Sequence, residues 1–420
     1  MNQEERDFVV EEPEESFETK SGKKKRKKKQ NGFGKGFFAG VIVMALLSVV
    51  YEYVSGVSVS RTGLLDRTTS KKLQTLAAYI QSNYYEDVDT GTLQEGLYAG
   101  LFDNLDVYSQ YYTAEEAQQL YDTNVSGTYC GIGASLQQDA DTKVVTVMHV
   151  YDGSPAQESG LQEGDVIVSA DSYEAASTDL SEFITHVRGE EGTQVHLVIA
   201  RSGESDYLEF DITRKNLVLP TVTQKMLENQ TGYIQVTEFT EHTVEQFEDA
   251  LSELQQEGMT ALIVDLRSNP GGMLTSVCSM LDDILPEGLL VYTEDKDGNR
   301  QDYNSTDDKS LDLPLAVLVN GNSASASEIF AGAIQDRKAG TIIGTTTYGK
   351  GVVQSILSLK DGSAFKLTTS RYFTPNGTCI QGIGIQPDVE IEYEFTGPED
   401  AKYSEEYDNQ IQKALDVLQQ

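Results

Sequence analysis

Two short stretches hold residues that could do chemistry together: Asn320-Gly-Asn-Ser-Ala-Ser-Ala-Ser-Glu-Ile329 and Tyr348-Gly-Lys-Gly-Val-Val-Gln354. The first reads as a loop entering a helix, with Ser325 at the junction. Unpaired N–H groups and the positive end of the helix dipole stabilise negative charge there, which suits a nucleophile attacking a carbonyl. Lys350 is the one basic residue between Lys338 and Lys360, sits between two glycines, and opens an apolar strand. Burial lowers the pKa of a lysine, and a neutral amine can accept the proton of a serine hydroxyl. In an extended segment Lys350, Val352 and Gln354 share a face, so the Gln354 amide can orient the amine.

Plainer uses compete with that reading. Ser325-Ala-Ser-Glu328 also fits a capping box, which would employ the hydroxyl that catalysis needs. A lysine between glycines is also what a surface turn contains. Asp265-Leu-Arg-Ser-Asn-Pro-Gly-Gly272 ends an apolar strand in a turn rich in backbone donors. Gly271 or Gly272 could supply an oxyanion-hole amide beside that of Ser325 itself, and the residues leave the choice between them open. His149, His186 and His196 lie in a different segment, and His242 opens a helix without an evident carboxylate, which weakens a Ser-His-Asp arrangement.

The elements that must position these groups follow from composition and period. The 420 residues carry a net charge of −35, and from residue 60 onward 58 acidic side chains face 22 basic ones, which disfavours nucleic acid as a partner. Cys130, Cys278 and Cys379 are widely spaced, indicate neither a zinc site nor a disulfide framework, and leave at least one free thiol. Residues 1–35 form an acidic and then polybasic tail, with eight basic residues between Lys20 and Lys29. The apolar run that follows, within 36–56, reaches the roughly 17 residues that cross a bilayer. It predicts one transmembrane helix, with the lysines cytoplasmic and everything beyond it outside the cell. A cleaved signal peptide is the competing reading, but no small-x-small site follows the run.

Residues 60–122 show helical spacing, with Leu73, Leu76, Ala77 and Ile80 and then Leu93, Leu97, Leu101 and Phe102, and predict a helical arm that could pack on a neighbouring domain or pair two copies as a homodimer. Residues 126–216 switch to short alternating strands and glycine turns, with a helix over Asp179 to Val187. This segment resembles a PDZ domain through Tyr129-Cys-Gly-Ile-Gly133, Ser154-Pro-Ala156 and Gly160-Leu-x-x-Gly-Asp165. PDZ domains hold a chain end by strand addition, and the resemblance puts the carboxylate on the backbone of Gly131, Ile132 and Gly133. Over 217–395 strands alternate with helices, the pattern of an α/β domain whose sites form where strands end. Residues 396–420 read as a C-terminal helix.

With Ser323-Ala-Ser-Ala-Ser-Glu-Ile329, Tyr348-Gly-Lys-Gly-x-x-Gln354, Tyr372-Phe-Thr-Pro-x-Gly377 and Gly384-Ile-x-Pro-Asp388 in this order, the chain resembles the carboxyl-terminal processing peptidases, or tail-specific proteases, over about residues 70–415. The resemblance implies a crotonase-like α/β (mixed α+β) peptidase core with an inserted PDZ domain, and a catalytic set of Ser325, Lys350 and Gln354. It implies cleavage near the free C-terminus of protein or peptide substrates through an acyl-enzyme, without metal or cofactor. Arg188, in Val187-Arg-Gly-x-x-Gly192, matches a PDZ position that links tail binding to the active site in some members. Cys130 in the carboxylate loop and Cys379 after the Pro-x-Gly turn depart from what the family leads one to expect. Two other functions remain compatible with these motifs, a catalytically silent PDZ adaptor at the cell surface and a membrane-anchored scaffold.

Overall fold

The computed structural model describes residues 64–140, 142–306, 310–398 and 401–419. The expected transmembrane helix over 36–56 and the tail before it lie outside the described residues. Among the described residues no helix is long and apolar enough to cross a membrane. The chain divides after Val88 into two compact units, so the expected arm is split between them. In the first unit α1 (Arg67–Asn83) begins at Asp66, whose carboxylate accepts the Thr69 N–H at 2.7 Å.

The second unit opens with α2 (Thr90–Ala99), β1 (Gln110–Tyr112) and α3 (Ala114–Leu120). Next comes the PDZ-like layer. β2 (Thr128–Gly131) pairs with β9 (Lys215–Val218) as a two-stranded ribbon at its base. Between them lie β3 (Ala134–Gln138), β4 (Val145–Val150), the short α4 (Pro155–Ser159), β5 (Val166–Ala170), β6 (Tyr173–Glu174), α5 (Leu180–Val187), β7 (Gln194–Ala200) and β8 (Leu208–Thr213). The order β3-β4-β5-β7-β8 leaves β3 at a sheet edge, where unpaired backbone groups can take up an added strand. Phe183 and Val187 of α5 and Ile132 of the preceding loop close an apolar core beneath this edge. Asp179, predicted inside the helix, is its N-terminal flanking residue.

The remaining elements are β10 (Val222–Met226), β11 (Thr231–Val236), α6 (Thr243–Gln256), β12 (Ala261–Asp265), α7 (Leu274–Asp282), β13 (Gly288–Asp295), β14 (Arg300–Ser305), β15 (Leu315–Val319), α8 (Ala326–Asp336), β16 (Thr341–Gly344), β17 (Val352–Ser358), β18 (Ala364–Phe373), β19 (Val389–Glu390) and α9 (Asn409–Leu418). β11, β12, β15, β16 and β19 run parallel, with β10 antiparallel at one edge. β12 and β15 are buried along their whole length, as continuous apolar runs with both faces covered should be. Ile234, Leu262, Val317 and Ile342 face the core shared with α6, α7 and α8, while Tyr233, Ile263, Leu318 and Ile343 face α9. A second, antiparallel sheet places β18 between β1 and β13, with β17 also paired to β18. Among the described residues of the C-terminal segment, only Asn409–Leu418 is α-helical, preceded by a single turn at Glu405–Tyr407.

α9 is fastened by charge as well as by apolar contact. Arg267, just past β12, holds the fully buried Asp265 through Nε at 2.9 Å and reaches Asp408, the N-cap of α9, through Nη1 at 2.9 Å. Asp265 also accepts the Tyr233 hydroxyl at 2.7 Å. Arg267→Ala would strand two buried carboxylates, at an expected cost of about 3–5 kcal/mol. A fall of that size in unfolding free energy by urea titration is the check, and an unchanged midpoint would contradict the network's role.

Candidate active site

Three motifs converge at the carboxyl ends of three adjacent parallel strands: Asn-Pro-Gly-Gly after β12, the serine-rich loop after β15 and the Gly-Lys-Gly loop after β16. A crevice beyond strand ends is where such sheets build sites. Ser325 is the last residue before α8 and has φ 55° and ψ −112°, a conformation that a side chain strains to adopt. Such strain costs on the order of 1–3 kcal/mol and persists only where the surroundings enforce it.

The neighbours of Ser325 supply that enforcement. Ser323 Oγ donates to the Leu266 carbonyl at 2.7 Å, and Ser327 Oγ donates to the Asn269 carbonyl at 2.9 Å. The outer two serines therefore nail the loop to the turn after β12. The buried Tyr372 hydroxyl donates to the Ser325 carbonyl at 3.0 Å. Gly271 leaves room for the strained residue, since a Cβ there would stand 2.7 Å from Ser325 Cβ. Ser325 and Glu328 form the capping box that their spacing allows, the Glu328 carboxylate accepting Ser325 N–H and the Ser325 hydroxyl lying toward the Glu328 N–H, which bonds to the Ser325 carbonyl at 2.9 Å.

Glu328 joins the serine loop to the lysine loop. Its carboxylate is fully buried and accepts four hydrogen bonds: from Ser325 N–H at 2.8 Å, Lys350 N–H at 2.9 Å, Gly349 N–H at 2.7 Å and the Thr347 hydroxyl at 2.6 Å. A buried carboxylate is costly unless hydrogen-bonded in this way. The 381–384 loop closes over the lysine from the other side. Gly351 N–H donates to Gln381 Oε1 at 2.7 Å, and a Cβ on Gly351 would stand 2.5 Å from the Gln381 nitrogen.

Lys350 itself is half-buried, with Nζ 4.7 Å from the centre of the Tyr108 ring. Burial pulls its pKa below the ordinary 10.5, aided by the charge of Lys366 and opposed by Glu328 and Asp106. Its ammonium has no hydrogen-bond partner among the described residues, and in this arrangement it is not bonded to Ser325. Gln354 departs from the expected position. β17 starts only at Val352, and the register with β18 shifts between Val353 and Gln354, so the regular alternation that would align Lys350 with Gln354 is broken. The Gln354 amide donates to Thr368 Oγ1 at 3.2 Å instead.

The amides that could meet an oxyanion also differ from expectation. Ser325 N–H is held by Glu328, and Gly271 N–H donates to Asn269 Oδ1 at 2.8 Å. The amides of Gly272 and of Ala326, the first residue of α8, carry no hydrogen bond among the described residues. Ala326 was not foreseen, although the first N–H groups of any helix are unpaired and its sequence position alone could have marked it. Glu328 was foreseen only as a capping partner. Tyr372 lies in a motif of the family resemblance that names no role for it, and no sequence signal marks Thr347; both act through tertiary contact.

At the PDZ-like edge, Ile132 and Gly133 amides are unpaired, while their carbonyls accept from Ala156 at 2.8 Å and Tyr151 at 3.0 Å. Arg188 follows α5, lies across the Tyr129 ring at 5.2 Å and flanks Gly131, where a Cβ would meet its Cγ at 3.8 Å. All three cysteines are free thiols.

Glu328→Gln keeps the shape but removes the charge and one acceptor from a cluster of four donors. The expected result is a loss of about 1–3 kcal/mol of stability and a fall in kcat/KM of at least about 100-fold as the two loops separate. Peptide-cleavage assays and denaturant titration of the variant check it, and wild-type values in both would refute the coupling.

Comparison with known proteins identifies the family and its domains. Residues 230–391 match peptidase family S41, and residues 146–201 match a PDZ domain. The "Carboxy-terminal-processing protease" of Bartonella bacilliformis is 34% identical over 367 residues, covering 85% of this chain and 82% of the relative. The "Probable CtpA-like serine protease" of Staphylococcus aureus (strain COL) is 32% identical over 356 residues, 84% of this chain and 71% of the relative. A solved photosystem II D1 C-terminal processing protease is 28% identical, covers 77% of this chain and 88% of its own, and superposes with a TM-score of 0.47. A peptidase is thus favoured over a silent adaptor or a scaffold. With a PDZ domain inserted ahead of its S41 core, the chain belongs to the carboxy-terminal-processing serine proteases of peptidase family S41.

Proposed function

We propose that the chain cleaves protein substrates near their free C-termini by a Ser-Lys mechanism. One observation carries the reading: the strained Ser325, at the junction of its loop and α8, is tied through the single carboxylate of Glu328 to the loop bearing a desolvated lysine. A substrate tail enters along β3, and its carboxylate meets the free amides of Ile132 and Gly133, with Arg188 alongside. The scissile segment lies in the crevice at the strand ends.

Neutral Lys350 takes the proton from Ser325 Oγ as that oxygen bonds to the scissile carbonyl carbon. The oxyanion is met by the amides of Ala326 and Gly272, and the proton passes from Lys350 to the leaving nitrogen as the C–N bond breaks. Water then attacks the acyl-enzyme ester, giving a proton to Lys350 that returns to the serine oxygen. For this Lys350 must swing from the Tyr108 ring to the hydroxyl. Docking of a tail is the event that favours the swing, so binding gates the chemistry.

The apolar run within 36–56 after a polybasic block supports a single-pass anchor with a cytoplasmic N-terminus and an extracellular catalytic unit. Recovery of the chain in the soluble fraction with the run intact would contradict the anchor.

Ser325→Ala and Lys350→Ala should each lower cleavage of a tail peptide by on the order of 10⁴-fold or more while leaving the unfolding midpoint in place. Amidating the C-terminus of the same peptide should raise KM or lower kcat/KM for the wild type by at least about tenfold. Wild-type cleavage by either variant refutes the dyad, and indifference to amidation refutes tail recognition by the PDZ domain.

A further inference from the structure

The loop between α2 and β1, residues 100–109, reaches the base from a part of the chain remote from every catalytic motif. It is fastened to β18 by two bonds that Thr368 donates. Thr368 N–H donates to Ser109 Oγ at 3.0 Å, and Thr368 Oγ1 donates to Asp106 Oδ1 at 3.1 Å. The same Asp106 oxygen accepts Tyr108 N–H at 2.9 Å and Ser109 Oγ at 3.2 Å, which fixes the turn that presents Tyr108. At its root, Phe102 packs on Phe365 of β18 with ring centres 5.8 Å apart. Ser109 is buried, so this seam is part of the fold.

Two consequences meet at the active site. The Tyr108 ring lies 4.7 Å from Lys350 Nζ, within the range in which an aromatic face stabilises a cation. Thr368 Oγ1, held by Asp106, is also the acceptor for the Gln354 amide. The loop thus touches the base and, through Thr368, reaches the residue expected to orient it.

We infer that the 100–109 loop holds the resting position of the catalytic base, from which it swings to Ser325, Tyr108 seating the Lys350 side chain and Asp106 fixing Tyr108 and, through Thr368, Gln354. This rests on Lys350 being the base. The groups facing Lys350 are Tyr108 and Asp106 from the loop, Glu328 from α8, Lys366 from β18 and the adjacent Tyr348. Tyr108, Asp106 and Glu328 favour the charged amine, whereas Lys366 and burial favour the neutral one. The loop therefore sets how easily the base sheds its proton as well as where it sits.

The test is the pH profile of kcat/KM for a tail peptide, measured on the full chain. Tyr108→Leu keeps an apolar cover over the amine and removes the aromatic face, so the protonated form loses support. The acid limb should move down by about 0.5–1 pH unit. Tyr108→Phe restores the ring and should restore the wild-type limb. Asp106→Asn keeps the hydrogen-bond acceptor but removes the charge, and should move the limb in the same direction as Tyr108→Leu. A limb unmoved in both Tyr108→Leu and Asp106→Asn overturns the inference, as does a limb that Tyr108→Phe fails to restore. Wild-type cleavage by Lys350→Ala would overturn the base assignment itself, and so is distinguishable from failure of the loop alone.

Discussion

One buried carboxylate holds the catalytic parts of this enzyme in register. Glu328 sits in the first turn of α8 with no exposure to solvent, and it accepts from the backbone of Ser325, Gly349 and Lys350 and from the Thr347 hydroxyl. A negative charge in that position would be intolerable without donors, and the donors belong to two loops that are far apart in sequence. Satisfying the charge forces those loops together. Ser325 and Lys350, the proposed nucleophile and base, are placed by the same requirement.

The remainder of the site distributes strain and support around that clamp. Ser325 adopts a backbone conformation that would relax if the loop were free, but Ser323, Ser327 and Tyr372 hold its flanks and its carbonyl. Binding Ser325 N–H to Glu328 also leaves the unpaired amides of Ala326 and Gly272 as the donors available for developing negative charge. The lysine is treated differently. Its main chain is fixed by Glu328, while its side chain rests on an aromatic ring and is pushed toward the neutral state by burial. In the proposed mechanism a fixed nucleophile and a movable base suit an activity gated by a bound tail.

Much of this was legible in the sequence where local pattern decides structure. Period and turn residues marked the PDZ-like strands, the alternation of the core and the loop-to-helix junction at Ser325, because each depends on spacing along a few residues. Ser325 and Lys350 stood out by chemistry. What escaped depends on contacts between distant segments. The Gln354 position was lost to a register shift in a strand pair, which no periodicity reveals. Glu328 looked like an ordinary capping residue, since three of its four partners come from the loop after β16. Tyr108 and Tyr372 are aromatic residues among many, and only the fold brings them to Lys350 and to Ser325. The two helices read as one arm fall in two compact units, a division that local spacing does not encode.

The central claim is that a neutral Lys350 activates Ser325. The most direct measurement is the rate at which a fluorophosphonate modifies Ser325, followed by mass spectrometry across pH in wild type and in Lys350→Met. The expected result is labelling confined to Ser325 that rises along a single ionisation below the 10.5 of an ordinary lysine and is lost in Lys350→Met. Equal labelling rates in the two proteins at every pH would contradict the account.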